Sequence, residues 1–249
     1  MEWIWWVGSS KGTRARIGPR IRLAHLSILR QNLGMRSVRA LGLSLTLTLL
    51  LTGCGESSKI YAASKEEGVF FSVPKSWHGL STATLNKYEK NAEGDQPDSR
   101  QALVKWQLAY SSDPKLKVAQ VFNLKPPSSP LVFVRVRDLT SPEINSFSYN
   151  SLRDVITPIT QLADGLDLGI PDFKILEDGE VVEKGARGVQ TIYSFSIEGI
   201  EQTLNQTVLL SNDRTTLYIF VVRCATTCYK KNKKVMEEIV KSYTVRGAK

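Results

Sequence analysis

Histidine is scarce in this 249-residue chain, and only one of its two histidines, His78, follows Cys54. A multi-histidine zinc site needs several imidazoles, and a Ser-His-Asp triad needs one as its base. The part from Cys54 onward contains neither a Gly-x-Ser-x-Gly elbow nor a glycine-rich phosphate-binding loop. We therefore expect no multi-histidine metal site, no nucleotide cofactor and no catalytic residue. His78 is interpreted as an ordinary residue of a turn, and a catalytic His78 is the alternative.

The positive charge of the chain is unevenly distributed. There are 33 lysines and arginines against 24 acidic residues, which gives a formal charge of +9. Residues 1–53 account for +7 of it, because they contain the single acid Glu2, and the residues from Cys54 onward account for +2. Nucleic-acid-binding domains carry a basic patch or stripe. The nearly neutral remainder therefore predicts no nucleic-acid partner.

The longest apolar run is short. It covers residues 41–51, follows a positive segment that begins at Met35, and ends in Leu51-Thr52-Gly53-Cys54. Eleven residues are too few to span a bilayer stably, whereas this order of zones is typical of an export signal. The last four residues resemble the lipobox of bacterial lipoproteins, in which the cysteine thiol receives a diacylglycerol. The resemblance implies lipid attachment at Cys54 and a cell-membrane protein on the extracytoplasmic face; an ordinary cleaved signal or an uncleaved anchor is the alternative.

The leader and the tether lie outside the folded part. Residues 1–34 do not form a clean signal, so translation starting at Met35 is the favoured interpretation and an unusually long amino-terminal region the alternative. Residues 35–53 are then the lipoprotein signal peptide. Residues 54–67 are polar and predict a flexible tether. Residues 68–249 are predicted to form a single α+β domain.

Cys224 and Cys228 are the two cysteines that follow the lipid-bearing one. Their C-x-x-x-C spacing differs from the C-x-x-C of redox enzymes, and a zinc site needs a second pair. In an exported protein, two cysteines so close in sequence most simply form a disulfide. Two free thiols, or a catalytic or metal-binding role, remain the alternatives.

The first half of the domain predicts three strands and a helix. Apolar and β-branched residues indicate strands at 69–73, ended by Pro74, and at 102–110 and 131–137. Thr140 and Glu143 stand in capping-box register, with Pro142 in the first turn. Helical spacing continues to Leu162, and Pro158 is expected to kink or split this helix near Thr157.

The last third predicts a meander and a closing helix. Strands are expected at 173–176 and 181–182 around a turn at Asp178-Gly179, and at 189–197, 203–210 and 215–224, with a turn at Glu198-Gly199. Apolar residues at helical spacing follow, namely Val235, Met236, Ile239, Val240 and Tyr243. Asp164, Asp167, Asp172 and Asp178 are interpreted as solvated turn residues, because they do not have calcium-loop spacing; a loop-borne cation site is the alternative.

The order of elements in this domain resembles the PsbP/Mog-type α/β/α sandwich. The features that carry the resemblance are the FSVP segment at 71–74 followed by Trp77, the capped helix, the meander and the helix over 235–245. Bacterial lipoproteins of the LpqN type are similar. The resemblance covers about residues 68–246. It implies an α+β fold with an antiparallel sheet flanked by helices, and a non-enzymatic binding or assembly role.

Four lysines crowd the predicted start of the closing helix, namely Lys230, Lys231, Lys233 and Lys234. The amino end of a helix attracts anions, and lysines near a membrane bind anionic headgroups. A solvated helix face is the alternative. The function expected is a membrane-anchored, non-catalytic module that binds a protein or an envelope lipid, with no cofactor. The alternatives are a carrier of a small apolar ligand or lipid, which should show a sizeable apolar pocket, and an enzyme of unrecognised type.

Overall fold

A β-hairpin and the carboxyl-terminal strand form a small sheet at one side of the protein. The computed structural model describes residues 58–92 and 103–247. Strand β1 (Lys59–Ser64) pairs antiparallel with β2 (Val69–Pro74), and β10 (Thr244–Val245) pairs with the other edge of β2. The prediction of a tether up to residue 67 is therefore wrong for β1, because this segment pairs with β2 along its whole length and buries Ala62. Residues 54–57 lie outside the described residues.

The main sheet has seven antiparallel strands in the order β3-β4-β5-β9-β8-β7-β6. The central strands are buried on both faces, since the first six of the eight residues of β5 and the first nine of the ten residues of β9 are buried. The predicted strands at 69–73, 102–110, 131–137, 189–197, 203–210 and 215–224 are all confirmed with small shifts of their ends. The seven strands are β3 (His78–Leu80), β4 (Val104–Ser111), β5 (Leu131–Asp138), β6 (Lys174–Val182), β7 (Ala186–Ile197), β8 (Ile200–Ser211) and β9 (Thr216–Ala225).

Both faces of this sheet are covered, so the predicted antiparallel sheet flanked by helices is confirmed. On one face, Phe220 and Val222 pack with β2 and with the closing helix through Phe71 and Met236. On the other face two apolar clusters lie side by side, one around Phe195 and one around Leu85 and Phe133. The helices are α1 (Thr82–Ala92), α2 (Val118–Phe122), α3 (Ser141–Ser146), α4 (Tyr149–Arg153), α5 (Ile159–Ala163), α6 (Thr226–Lys231) and α7 (Lys233–Ser242).

The segment after β5 forms three short helices instead of one kinked helix. Its predicted start is confirmed, because Thr140 accepts a hydrogen bond from the Glu143 amide and Glu143 bonds back to the Thr140 amide. The chain then turns extended at Phe147, where α3 ends, and Ser148 caps α4 with its own side chain. Local capping by serine thus competes with continued helix. Pro158 separates α4 from α5, as expected.

The predicted turn at Asp178-Gly179 is wrong. Strand β6 runs without interruption from Lys174 to Val182, with a bulge between Ile175 and Glu177, and the chain reverses at residues 183–185 instead. An Asp-Gly pair forms a hairpin turn only when the returning strand starts directly after it. Here the returning strand β7 starts at Ala186, and Asp178 and Gly179 themselves pair with β7. The predicted Glu198-Gly199 turn is confirmed: both residues have positive φ, at 52° and 78°, in a two-residue hairpin loop.

The closing helix is also divided. Helix α6 ends at Lys231, Asn232 breaks the helical geometry, and α7 begins at Lys233. Met236 and Ile239 are buried on α7 as the apolar spacing predicts. Within the residues described, no helix combines the length and the apolarity required to cross a membrane.

Candidate binding groove

The structure separates the residues that the sequence singles out. Cys54 lies outside the described residues. Cys224 and Cys228 form a disulfide with a Cα to Cα distance of 5.9 Å, joining the end of β9 to α6. His78 is exposed and is the first residue of β3, so its placement in a turn is wrong.

The four lysines do not share one helix start. Lys230 and Lys231 lie in the last turn of α6, where the helix dipole favours cations, and Lys233 and Lys234 lie in the first turn of α7. All four are exposed, and Lys233 is 3.7 Å from Glu237. The single amino-terminal cluster is therefore corrected to a surface shared by two helix ends.

The four candidate aspartates are also dispersed. Asp178 lies within β6, paired with Arg153 at 2.7 Å, and Asp172 accepts a hydrogen bond from Ser196 at 2.7 Å. Among the described residues, no three histidines, cysteines or acidic residues are grouped so as to hold a metal ion.

A groove with a volume of about 260 Å³ opens where α4 approaches the ends of β7 and β8. Phe147, Ser148, Tyr149 and Leu152 line it from the helical side. The strand side supplies the cross-strand neighbours Arg187 and Leu210, and the β8–β9 turn supplies Arg214. Leu152 and Leu210 are buried and form an apolar floor, whereas the two arginines are exposed at the rim.

The rim of the groove carries two positive charges that the chain does not neutralise. Neither Arg187 nor Arg214 forms an ion pair with a carboxylate in the part of the chain that the structure describes. Arg214 donates one hydrogen bond of 2.8 Å to the Phe147 carbonyl oxygen, which leaves the remaining guanidinium donors free for a ligand. Two guanidiniums above an apolar floor fit an acidic group attached to an apolar one.

Arg214 is held in an unfavourable backbone conformation. Its φ is 63°, a region that non-glycine residues avoid at a cost of about 1 kcal/mol. The turn is fixed by Asp213, whose Oδ1 accepts hydrogen bonds from the Thr215 hydroxyl and amide, at 2.9 and 3.2 Å. Hydrogen bonds from Ser211 and Thr215 lower the pKa of Asp213. The turn thus fixes Arg214 beside the groove.

The other side of the groove is fastened to the edge strand β6. Tyr149 donates a hydrogen bond of 2.6 Å to Glu180, and Arg153 pairs with Asp178. Hydrogen bonds from Arg153 lower the pKa of Asp178, which also accepts a bond from Thr191 at 2.7 Å. These contacts position α4 before any ligand arrives.

A buried polar network lies elsewhere, between α1 and the sheet. Glu89 and Arg135 form an ion pair in which each side chain is 3% exposed. Gln107 donates to Glu89 at 2.7 Å and accepts from the Arg135 Nε at 3.0 Å. The guanidinium also lies 5.3 Å from the ring centroid of Phe133. Because its groups bind one another, this network fastens α1 to the sheet.

A crevice between the two helical groups contains a second buried arginine. Arg223 is 4% exposed and donates to the Gln120 carbonyl oxygen at 2.7 Å and to Gln202 at 3.3 Å. Burial lowers its pKa to about 10. The crevice has a volume of about 20 Å³ and is lined by Phe133 and Leu204, among others. That is room for roughly one water molecule.

Sequence patterns did not identify the arginines of the groove. Arg187 follows a turn and Arg214 lies within one, where exposed arginines are common. The juxtaposition depends on the strand register that sets Arg187 opposite Leu210, and on the break in the helix at Phe147. Neither was predicted.

Comparisons with known proteins give similarity at the level of the fold. No protein-family model matches the chain, and no curated protein sequence matches it. The solution structure of cyanobacterial PsbP (CyanoP) from Synechocystis sp. PCC 6803 is 13% identical, with a TM-score of 0.43, over 78% of this chain and 95% of that one. LpqN, involved in cell envelope biogenesis of Mycobacterium tuberculosis, is 12% identical, with a TM-score of 0.43, over 75% and 90%. A Mog1 structure is 9% identical, with a TM-score of 0.41, over 77% and 97%.

PsbP, LpqN and Mog1 are thus among the structural neighbours, in agreement with the resemblance found in the sequence. At these identities and TM-scores, the function has to be argued from the residues of this chain.

Proposed function

We propose that this protein is a membrane-anchored, non-catalytic binding module whose groove holds an acidic segment of a partner protein. The observation that carries the proposal is the pair Arg187 and Arg214, which have no ion-pair partner among the described residues and lie above the apolar floor formed by Leu152 and Leu210. Arginine is enriched among the residues that contribute most to protein interfaces. A volume of about 260 Å³ accommodates one or two side chains, which favours a protein segment over a two-chain lipid.

The polar groups of the groove favour binding over chemistry. The Tyr149 hydroxyl is bonded to Glu180, and the Ser148 hydroxyl lies 3.0 Å from that of Ser151 in the cap of α4. A nucleophile needs a neighbouring base to activate it. The groups left available to a ligand are the two guanidiniums, which act as hydrogen-bond donors.

The test is a titration of the purified full-length protein with a fluorescent, capped hexapeptide that alternates aspartate and leucine. Wild type is expected to bind it, and a variant with Arg187→Gln and Arg214→Gln is expected to lose at least tenfold in affinity. A charge-matched control carries Lys65→Gln and Lys115→Gln, two exposed lysines outside the groove. Equal losses in both variants would show nonspecific attraction and contradict the proposal.

The proposed anchor is the acylated Cys54. Two acyl chains bury many methylene groups at about 0.8 kcal/mol each, so no transmembrane helix is needed to hold the protein at the membrane. The Cys54→Ser variant should not incorporate labelled palmitate, whereas wild type should. Equal incorporation of palmitate by both proteins would contradict lipid attachment at Cys54.

The exposed lysines favour a second contact, with anionic lipid headgroups. Lys230, Lys231, Lys233 and Lys234 lie on one surface formed by two helix ends, and each lysine near an anionic membrane contributes about 1 kcal/mol. Charge reversal of all four lysines should reduce binding of the Cys54→Ser protein to anionic liposomes. Unchanged binding would remove lipid headgroups from the proposed partners.

The alternative role as a carrier of an apolar ligand receives little support. Such a ligand would lie between sheet and helices, and the crevice at Arg223 between them has a volume of only about 20 Å³. Ligand pockets are usually at least tenfold larger. The open groove is therefore the better candidate site.

A further inference from the structure

Strand β6 forms one edge of the seven-stranded sheet and is open to solvent along its length. Within residues 58–92 and 103–247 it pairs with β7 only, and all but one of its nine residues are exposed. Exposed apolar side chains lie at both ends, with Ile175 at 41%, Leu176 at 57% and Val182 at 70% exposure. An edge of this kind presents free backbone donors and acceptors to another strand.

The opposite edge of the sheet is formed differently. Strand β3 has only three residues, which is one of the ways in which proteins protect an edge. Strand β6 contains no proline and has three times that length, and its one irregularity is the bulge between Ile175 and Glu177. Its length and exposure are therefore those of a docking edge.

Contacts on one face hold β6 in place. Arg153 and Thr191 bind Asp178, and Tyr149 binds Glu180. A strand fixed in this way loses little conformational entropy when another strand adds to it.

The charge of β6 indicates what kind of strand it accepts. The strand carries Glu177, Asp178 and Glu180 against a single Lys174. Asp178 is neutralised by Arg153, whereas Glu177 and Glu180 form no ion pair with a cation in the described parts of the chain. A second copy would bring the same acidic strand alongside, and like charges directly opposite one another are destabilising. A basic strand complements β6 instead.

We propose that β6 accepts an extended segment of a partner protein in which basic and apolar residues alternate, added as an eighth strand of the sheet. Backbone hydrogen bonds supply the affinity and the alternating side chains the specificity. This edge adjoins the arginine groove, since Val182 pairs with Arg187 and Tyr149 binds Glu180, but it carries the opposite charge, and the two proposals rest on different residues and different partners.

The test uses a fluorescent, capped heptapeptide that alternates lysine and valine, added to the purified full-length protein. Binding is followed by fluorescence anisotropy, and the site is located by amide hydrogen exchange. The same peptide with an N-methyl group on every backbone amide retains its charge and cannot donate to a backbone ladder along either edge. Glu177→Lys reverses a charge on β6, and Glu66→Lys makes the same change at an exposed position in the β1–β2 loop.

We expect the unmodified peptide to bind and to protect the amides of 174–182. N-methylation of every amide should abolish binding, Glu177→Lys should weaken it at least fivefold, and Glu66→Lys should change it less than twofold. If the methylated peptide bound as tightly as the unmodified one, or if the protected amides lay outside β6, the proposal would be overturned. A dimer of the protein that protects β6 would also overturn it, in favour of a second copy. The comparison with the methylated peptide uses the wild-type protein, so it remains valid even if the Glu177→Lys variant misfolds.

Discussion

The phenolic oxygen of Tyr149 donates a hydrogen bond of 2.6 Å to Oε1 of Glu180, which connects the wall of the arginine groove to the edge strand β6. The two residues are 31 positions apart in sequence. Tyr149 is 43% exposed, so the bond forms at the surface. This bond thus links the two surfaces for which we propose partners.

This bond predicts a shift in the titration of Tyr149. The hydrogen bond to Glu180 raises the pKa of the phenol above 10, because the neutral phenol donates and the phenolate repels the carboxylate. The bond is present while the phenol is protonated and is lost as pH rises through the raised pKa. Glu180→Gln should lower the pKa of Tyr149 towards 10 in an NMR titration. An unchanged pKa would show that the bond does not form in solution.

The buried pair of Glu89 and Arg135 predicts a large effect from a single substitution. Arg135→Met leaves the Glu89 carboxylate buried without its cation, which costs about 3 to 5 kcal/mol of unfolding free energy. Burial already raises the pKa of Glu89. The double variant Glu89→Leu, Arg135→Met should recover much of that loss in urea denaturation. A double variant as unstable as the single one would indicate that Arg135 acts through packing on Phe133.

Acid should reduce the stabilisation that the Glu143 carboxylate provides at the start of α3. Burial alone would raise the pKa of Glu143, but hydrogen bonds from Arg137 and Thr140 outweigh it and lower the pKa to about 2, from an ordinary value near 4.5. A carboxyl group with a lowered folded pKa stabilises the protein above its unfolded pKa and loses that contribution as pH falls towards its folded pKa.

The Glu143→Gln variant measures that contribution. Allowing for solvent screening, we expect it to unfold with about 1 to 2 kcal/mol less free energy than wild type at pH 7, and with a smaller difference at pH 2. Denaturation at the two pH values checks this. A difference that stays constant with pH would show that the carboxylate charge is not responsible.

The disulfide should stabilise the junction of β9 and α6 modestly. It closes a loop of only a few residues, so the chain-entropy model predicts about 2 kcal/mol. The variant Cys224→Ala, Cys228→Ser should unfold at correspondingly lower urea concentration. Mass spectrometry that finds both thiols alkylated without reduction would contradict the disulfide.

Sequence patterns predicted the fold where local signals and tertiary packing agree. The capping box at Thr140, the turn at Glu198-Gly199 and the buried strand around Phe220 were all identified in advance. Each is determined by residues close together in the chain. Hydrophobic periodicity of this kind is the most reliable signal that a single sequence contains.

The failures have a common physical cause, which is pairing with distant residues. Residues 59–64 form a strand because β2 lies beside them, and Asp178-Gly179 stays extended because β7 pairs across it. The groove depends on the same kind of relationship, since Arg187, Leu210 and Arg214 meet the α4 segment only in the folded sheet. The sequence around an arginine in a turn does not indicate which distant residues it will contact.

The claim that the groove holds an acidic segment of a partner is tested most directly by crosslinking in intact cells. A photoreactive amino acid replaces the exposed Ser148 at the groove, or the exposed Thr227 on α6 as a control position. We predict a crosslinked protein partner at position 148 only, lost when Arg187→Glu and Arg214→Glu are added and retained when Lys65→Glu and Lys115→Glu are added. The same crosslinked product with both arginines reversed would contradict the claim.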